Sequence, residues 1–351
     1  MSLNTPDKRL DLTVLIATRN RAESLREVLA CFIRERSDDI RFEIVVVDNG
    51  GSDDTQAVVT SFSDTINIRY LLEDRPGKCH ALNRALEEIE PGEIVAVLDD
   101  DMTLEHGWVR AVVEGCRRWP DYDIFSGRST VTFPKEVTIP AWAHRIEFAG
   151  WAFSVVDTGT EDHAMPRGFY PSGNHFWVRS RVFESNRRFP DLKILSDAGF
   201  VLALYEDGFK GMWIGSAIVR HHIQPHLLEP TTLLKRMRLI GVESPYVWMP
   251  NHNLSWQARM FRDHPYVWIS LSCCNTLRWL VNRLACFTKR DAGDRLLNRM
   301  KTTIRLYDHI EIVRHWKQIR HFVESDSLRG KDRKIEDSKH ATTKLETSIR
   351  P

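Results

Sequence analysis

The sequence predicts an α/β fold, with a mostly parallel sheet flanked by helices, a mixed second half and a helical C-terminal region. Three observations carry this. Over the first 120 residues short, continuous apolar runs alternate with helical apolar stripes, the pattern of βαβ units. From about Pro120 to Ile223 the pattern breaks into shorter runs and loops dense in aromatic residues (Trp142, Trp151, Trp177, Trp213, Phe148, Phe169, Phe176). Beyond Leu227 helical periodicity returns.

Taken in order, Leu12 to Ala17 is too continuous for a half-exposed strand, and Leu25, Val28, Leu29 and Phe32 follow on one helical face. The second strand is expected at Phe42 to Val47, backed by Val58, Val59 and Phe62. The third, Ile66 to Leu72, precedes the stripe Leu82, Ala85, Leu86 and Ile89. The fourth, Ile94 to Leu98, leads to Trp108, Val109, Val112, Val113 and Cys116. Right-handed crossovers turn successive parallel strands the same way up. The clusters that follow the strands, Thr18-Arg19-Asn20-Arg21, Asp48-Asn49-Gly50-Gly51, Arg75-Pro76-Gly77-Lys78 and Asp99-Asp100-Asp101, are therefore expected on one edge. That carboxyl edge is where open α/β sheets bind ligands.

In the C-terminal region Leu297, Met300, Ile304 and Tyr307 form a stripe opposite Arg295, Arg299 and Arg305, and Asn275, Arg278 and Asn282 line the preceding apolar helix. Glu324 to Pro351 mixes charges without an aromatic residue and reads as disordered. A chain of 351 residues holds one large domain or two smaller ones. With 42% hydrophobic and 28% charged residues it is globular in composition, and a net charge of +1 gives no basic field for a nucleic-acid partner. Six cysteines without a C-x-x-C pair point to a reduced compartment, and the N-terminus offers no apolar signal core, so a cytoplasmic location is expected. The apolar window Val267 to Phe287 contains Arg278 and Arg283. Each costs about 2.5–3.5 kcal/mol at a bilayer centre, which argues against a membrane span.

Asp99-Asp100-Asp101 is the sharpest local signal. Adjacent carboxylates repel unless a cation shares their charge, and Asp99 and Asp101 would point the same way on extended backbone. Hard oxygen ligands suit Mg²⁺ or Mn²⁺. The other reading of the triplet is a helix N-cap with an acidic first turn.

The segments VLIATRNRAESL, EIVVVDNGGSDDT, RPGKCHALNRAL and EIVAVLDDDM, in that order, resemble the nucleotide-binding half of a family 2 glycosyltransferase with the GT-A fold, over residues 12 to 115. PSGNHFWVRSRVF, ILSDAGFVLALYEDGFK and IGSAIVRHH resemble the family's acceptor half and extend the likeness to about residue 222. The resemblance implies a GT-A catalytic domain over residues 11–228, with a Rossmann-like nucleotide-binding half (11–120) and an acceptor half (121–228). A flexible N-terminus (1–10), a helical region (229–323) and a disordered tail (324–351) would flank it.

It further implies a nucleotide-diphosphate sugar as donor. Thr18, Arg19, Arg21, Asp48, Gly77, Lys78, Asp99 and Asp100 would contact the nucleotide, Gly77 and Lys78 through a helix start that can approach phosphate with backbone N–H groups. Gly173 and Asn174 would face the donor sugar or acceptor. A divalent cation, Mn²⁺ or Mg²⁺, would be held by Asp99 and Asp101 with His221. Asp197 would be the general base: Ser196-Asp197 followed by Gly208 keeps the family's spacing, but Ser196 replaces the usual Glu, and Ala198 and Ala203 replace polar residues. Without the resemblance, these segments read as a solvated helix start at Thr18 to Arg21, turns at Asp48 to Gly51 and Pro171 to Asn174, and an N-cap at Ser196-Asp197.

The activity so implied is inverting sugar transfer to a hydroxyl of a saccharide or lipid-linked acceptor. The arginines of the last helix could meet an anionic membrane surface or pack against the catalytic domain. Two alternatives stand beside it. A sugar-phosphate nucleotidyltransferase would usually carry a Gly-rich loop where Ala17 to Arg21 lies, and a non-catalytic nucleotide-sugar or glycan binder would tolerate the altered Ser196-Asp197 element.

Overall fold

The structure, a computed structural model, describes residues 9–248 and 291–314. The chain forms β1 (Leu12–Thr18), α1 (Ala22–Ile33), β2 (Phe42–Asp48), α2 (Thr55–Phe62), β3 (Ile68–Leu72), α3 (Lys78–Glu88), β4 (Ile94–Leu98), β5 (Met102–Leu104) and α4 (Trp108–Arg118). There follow β6 (Ile124–Thr132), α5 (Ile146–Phe153), β7 (His163–Met165), β8 (His175–Arg179), α6 (Ser196–Glu206), β9 (Gly211–His222), α7 (Pro230–Trp248) and α8 (Ala292–Arg314). One sheet takes the order β3-β2-β1-β4-β8-β6-β9-β5, with β7 added to β9.

β1 to β4 are mutually parallel, so the crossover rule holds and their carboxyl ends share an edge. Ile44 to Val47 are buried on both faces, which is why this run is continuous rather than alternating. Every stripe residue read behind the first four strands is buried. The second half of the sheet joins through β8, antiparallel to β4, and then β6 and β9. β6 shifts register after Gly127, where a Cβ would lie 2.2 Å from the Ala217 carbonyl oxygen, so only glycine lets the strands approach there. Trp108, Trp177 and Trp213 are fully buried in the core, consistent with packing rather than ligand stacking.

Two readings change. Asp99 to Asp101 is not extended: it is the turn between β4 and the three-residue β5, so alternation of side chains does not apply. On α8 the buried apolar side chains among the described residues are Leu296, Met300 and Leu306, a stripe turned slightly from Leu297, Met300, Ile304 and Tyr307. Of the three arginines expected opposite the stripe, Arg299 and Arg305 are exposed and Arg295 is half-buried.

The chain divides into two compact units, one running to Lys235 and including Asp291–Leu297, the other beginning at Arg236 and resuming at Asn298. In the second, Tyr246 Oη donates to Glu311 Oε1 at 3.0 Å and Arg238 lies over the Tyr307 ring. No helix among the described residues is long and apolar enough to cross a membrane. Most of the N-terminal segment read as flexible, the window Val267 to Phe287, the stripe Asn275, Arg278 and Asn282, and the tail 324–351 lie outside the described residues.

Candidate active site

The parallel register sets the strand ends level: Thr18 pairs with Asp48, and Asp48 with Leu72. The loops that leave them bond to one another. Asp53, before α2, accepts from the Ala22 N–H at 2.8 Å and so caps α1 from a different loop. Asn49 accepts from the Gly77 N–H at 2.7 Å and donates to the carbonyls of Glu73 (3.2 Å) and Arg75 (2.7 Å). The Gly77 N–H, expected to face phosphate, is thereby already used. Gly77 itself has φ +133°, a conformation glycine adopts readily.

Asp48 is buried, accepting from the Gly51 N–H at 2.8 Å and Tyr70 Oη at 3.0 Å. Burial and this carboxylate push the Tyr70 phenol up to about 12. Arg19 is exposed and makes no salt bridge with any described residue.

In the β4–β5 turn, Asp100 is 4% exposed and accepts from Thr18 Oγ1 at 2.7 Å and Arg21 at 2.8 Å. The same arginine reaches Asp101, 6% exposed, at 3.0 Å, while Ser24 Oγ donates to the Asp100 carbonyl at 2.7 Å. Burial pushes Asp100 up to about 6 against the pull of Arg21 and Thr18. For Asp101 burial acts the same way, but His221 and Arg21 outweigh it and hold this carboxyl below its ordinary range. Thr18 and Arg21, expected to line the nucleotide, thus grip the acidic turn.

His221 closes the buried end of the turn. Its Nδ1 lies 2.6 Å from the Phe153 carbonyl and its Nε2 faces Asp101 Oδ1 at 3.5 Å, an oxygen with no hydrogen-bond partner. Burial disfavours the imidazolium, yet Asp101 raises its pKa. Asp99, at the rim, instead pairs with the Lys78 ammonium, which also donates to the Gly173 carbonyl at 2.9 Å. Burial opposes the lysine charge, but Asp99, Asp197 and Asp101 together raise its pKa. The expected set of Asp99, Asp101 and His221 is therefore divided: Asp101 and His221 face each other, and Asp99 is drawn to Lys78. Among the described residues the one trio of metal-ligating side chains with atoms all within 4.8 Å is Cys79, His80 and Asp191.

Asp197 lies in the first turn of α6, 8% exposed. Its Oδ1 accepts from the Ala198 N–H at 2.8 Å, and Tyr170 bonds the carboxylate. Burial raises its pKa, opposed by Lys78. The carboxylate fills the space over Gly173: a Cβ there would fall 1.1 Å from Asp197 Oδ2. Gly173, read as a surface for the donor sugar, thus clears room for this carboxylate. The Asn174 side-chain amide is buried with neither polar atom hydrogen-bonded, while the Asn174 backbone carbonyl accepts from the Asp99 N–H at 3.2 Å. Asn49, Tyr70 and Tyr170 escaped the sequence reading. Asn49, inside a quoted turn motif, carried a usable signal, whereas neither tyrosine stands in a recognisable pattern.

Residues 13–198, more than half of the chain, match the family model described as Glycosyl transferase family 2. The glycosyltransferase AglE of Haloferax volcanii is 26% identical over 241 residues, covering 68% of this chain and 74% of that protein. A chondroitin synthase of Escherichia coli is 30% identical over 105 residues, but that stretch is 29% of this chain and 15% of the synthase. Among solved structures, the mannosyltransferase PcManGT of Pyrobaculum calidifontis, determined with GDP-Man and Mn²⁺, superposes with a TM-score of 0.53 at 16% identity, covering 93% of this chain and 88% of that one. At that identity the likeness bears on fold alone. The chain belongs to glycosyl transferase family 2 and is a glycosyltransferase of the GT-A fold.

Proposed function

We propose that this enzyme transfers a sugar from a nucleotide-diphosphate sugar to a hydroxyl of a saccharide or lipid-linked acceptor, inverting the anomeric centre, with Asp197 as the base. The observation that carries the reading is the buried Asp197 carboxylate seated over Gly173, on the same edge as the acidic turn and coupled to it through Lys78. Burial makes the carboxylate a stronger base than an exposed one, and the glycine keeps its place clear. In the transfer, the acceptor O–H proton passes to Asp197 as the acceptor oxygen bonds to the anomeric carbon. The bond from that carbon to the diphosphate oxygen breaks, and its electron pair leaves with the nucleoside diphosphate. Lys78 supplies positive charge beside the departing group. Arg21 and Thr18 hold the turn in place, and Asp48, Arg19 and Gly77 border the opening for the nucleotide.

The PcManGT complex contains GDP-Man and Mn²⁺, and this chain has residues that fit a divalent cation. The unpartnered Asp101 Oδ1 and the facing His221 Nε2 at 3.5 Å offer two donors, and rim Asp99 a third once released by Lys78. Such an ion, when bound, supplies Lewis-acid stabilisation of diphosphate charge.

Asp197→Asn tests the base. Transfer is expected to fall by about 10²–10⁴-fold with donor affinity retained. Equal loss of both, or a product of retained anomeric configuration by NMR, would overturn the reading.

A further inference from the structure

The trio at the start of α3 belongs to neither the acidic turn nor the base. His80 Nε2 lies 3.2 Å from Asp191 Oδ1, and Cys79 Sγ lies 3.9 Å from the same oxygen. Zinc bonds of about 2.3 Å to sulfur and 2.0–2.2 Å to nitrogen or oxygen set tetrahedral ligand edges near 3.4–3.7 Å, so the two edges that meet at Asp191 Oδ1 differ from them by a few tenths of an ångström, and all three ligand atoms lie within 4.8 Å of one another.

The two sides of the cluster are already joined. Asn83, one turn along α3, donates to the Phe189 carbonyl and accepts from the Phe189 N–H, both at 2.9 Å, fixing the chain two residues before Asp191. Gly77 packs beneath both ligands: a Cβ there would lie 3.2 Å from His80 Cδ2 and 3.6 Å from Cys79 Sγ. Cys79 is buried, whereas the Asp191 side chain is 82% exposed and leaves one side open for an ion and its water. One sulfur, one imidazole nitrogen and one carboxylate oxygen make a borderline-soft donor set, suited to zinc rather than to Mg²⁺.

We infer that Cys79, His80 and Asp191 form a second cation site, of the zinc class, which clips α3 to the segment leading into α6. Binding replaces the Cys79 S–H bond with a sulfur–metal bond and releases the thiol proton to solvent. Lys78 immediately precedes the clip on one element, and Asp197 opens the helix that follows it on the other. A bound ion would therefore fix the separation between the elements that carry the ammonium and the carboxylate.

The test is Co²⁺ titration of the chelator-treated full chain, read by the near-ultraviolet thiolate-to-cobalt charge-transfer band. The expected result is a band that saturates at about one equivalent, persists in excess Mg²⁺ and is displaced by Zn²⁺. Cys79→Ser should abolish it. Asp191→Ala, at an exposed position, should fold normally and weaken Co²⁺ binding at least about tenfold. Absence of the band from the unmutated chain, its survival in Cys79→Ser, or its loss to Mg²⁺ would overturn the site. No sugar donor enters the measurement, so this outcome is independent of the proposed transfer reaction.

Discussion

The acidic turn and Asp197 are both buried carboxylate regions on one edge of one sheet, yet they are built by opposite means. In the turn each carboxylate has a charged partner: Arg21, with Thr18, for Asp100, Arg21 for Asp101, whose other oxygen faces His221 at 3.5 Å, and Lys78 for Asp99. Asp197 has one backbone N–H, one tyrosine and the field of a lysine committed elsewhere. Compensation keeps Asp101 ionised, burial lifts Asp100 to about 6 even against Arg21 and Thr18, and burial with weak compensation raises Asp197. The same residue type is thus held ionised at Asp101 and disposed to bind a proton at Asp197, as the proposed base requires.

Gly173→Ala should break this contrast most severely. The added methyl occupies the position of Asp197 Oδ2, so the carboxylate must leave its seat. A fall in kcat approaching that of Asp197→Asn is expected, about 10²–10⁴-fold, with donor affinity far less affected in calorimetry. Near-normal kcat would show that the seat does not matter.

Arg21→Met probes the other end. Removing the cation that Asp100 and Asp101 share leaves buried negative charge unpaired. Arg21 is itself partly exposed, so the loss of stability should be about 1–3 kcal/mol rather than the full penalty of a buried pair. Thermal unfolding with and without Mn²⁺ checks it, and the cation should recover part of the loss.

Lys78→Met sharpens the comparison through pH. A base must be ionised to work, and burial places the Asp197 pKa above the ordinary carboxylate range. kcat/KM should therefore rise with pH through that raised value and level off above it. Lys78 draws the pKa downward, so its removal should shift the acid limb to still higher pH. An unmoved limb would separate Lys78 from the base.

The sequence revealed most where repetition averages out single errors. Stripes such as Leu25, Val28, Leu29 and Phe32 locate a helix face because several residues agree on one period. Asp48 and Asp99 to Asp101 reach one edge because strand direction follows from chain order. Pair geometry was not legible. Nothing in the spacing says that Thr18 would bond Asp100, that Lys78 would take Asp99 away from Asp101, or that Gly173 would lie under a carboxylate 24 residues later. These depend on the three-residue β5, which bends the triplet into a turn, and on contacts between distant loops.

The first turn of α1 is fastened three ways: by Asp53 at its leading N–H, by Ser24 to the Asp100 carbonyl, and by Arg21 to two carboxylates. Three separate loops are stitched into a single stiff plate before any nucleotide arrives. Little chain entropy then remains to be lost on docking, and donor association should resemble a key meeting a finished lock rather than a hand shaping a glove.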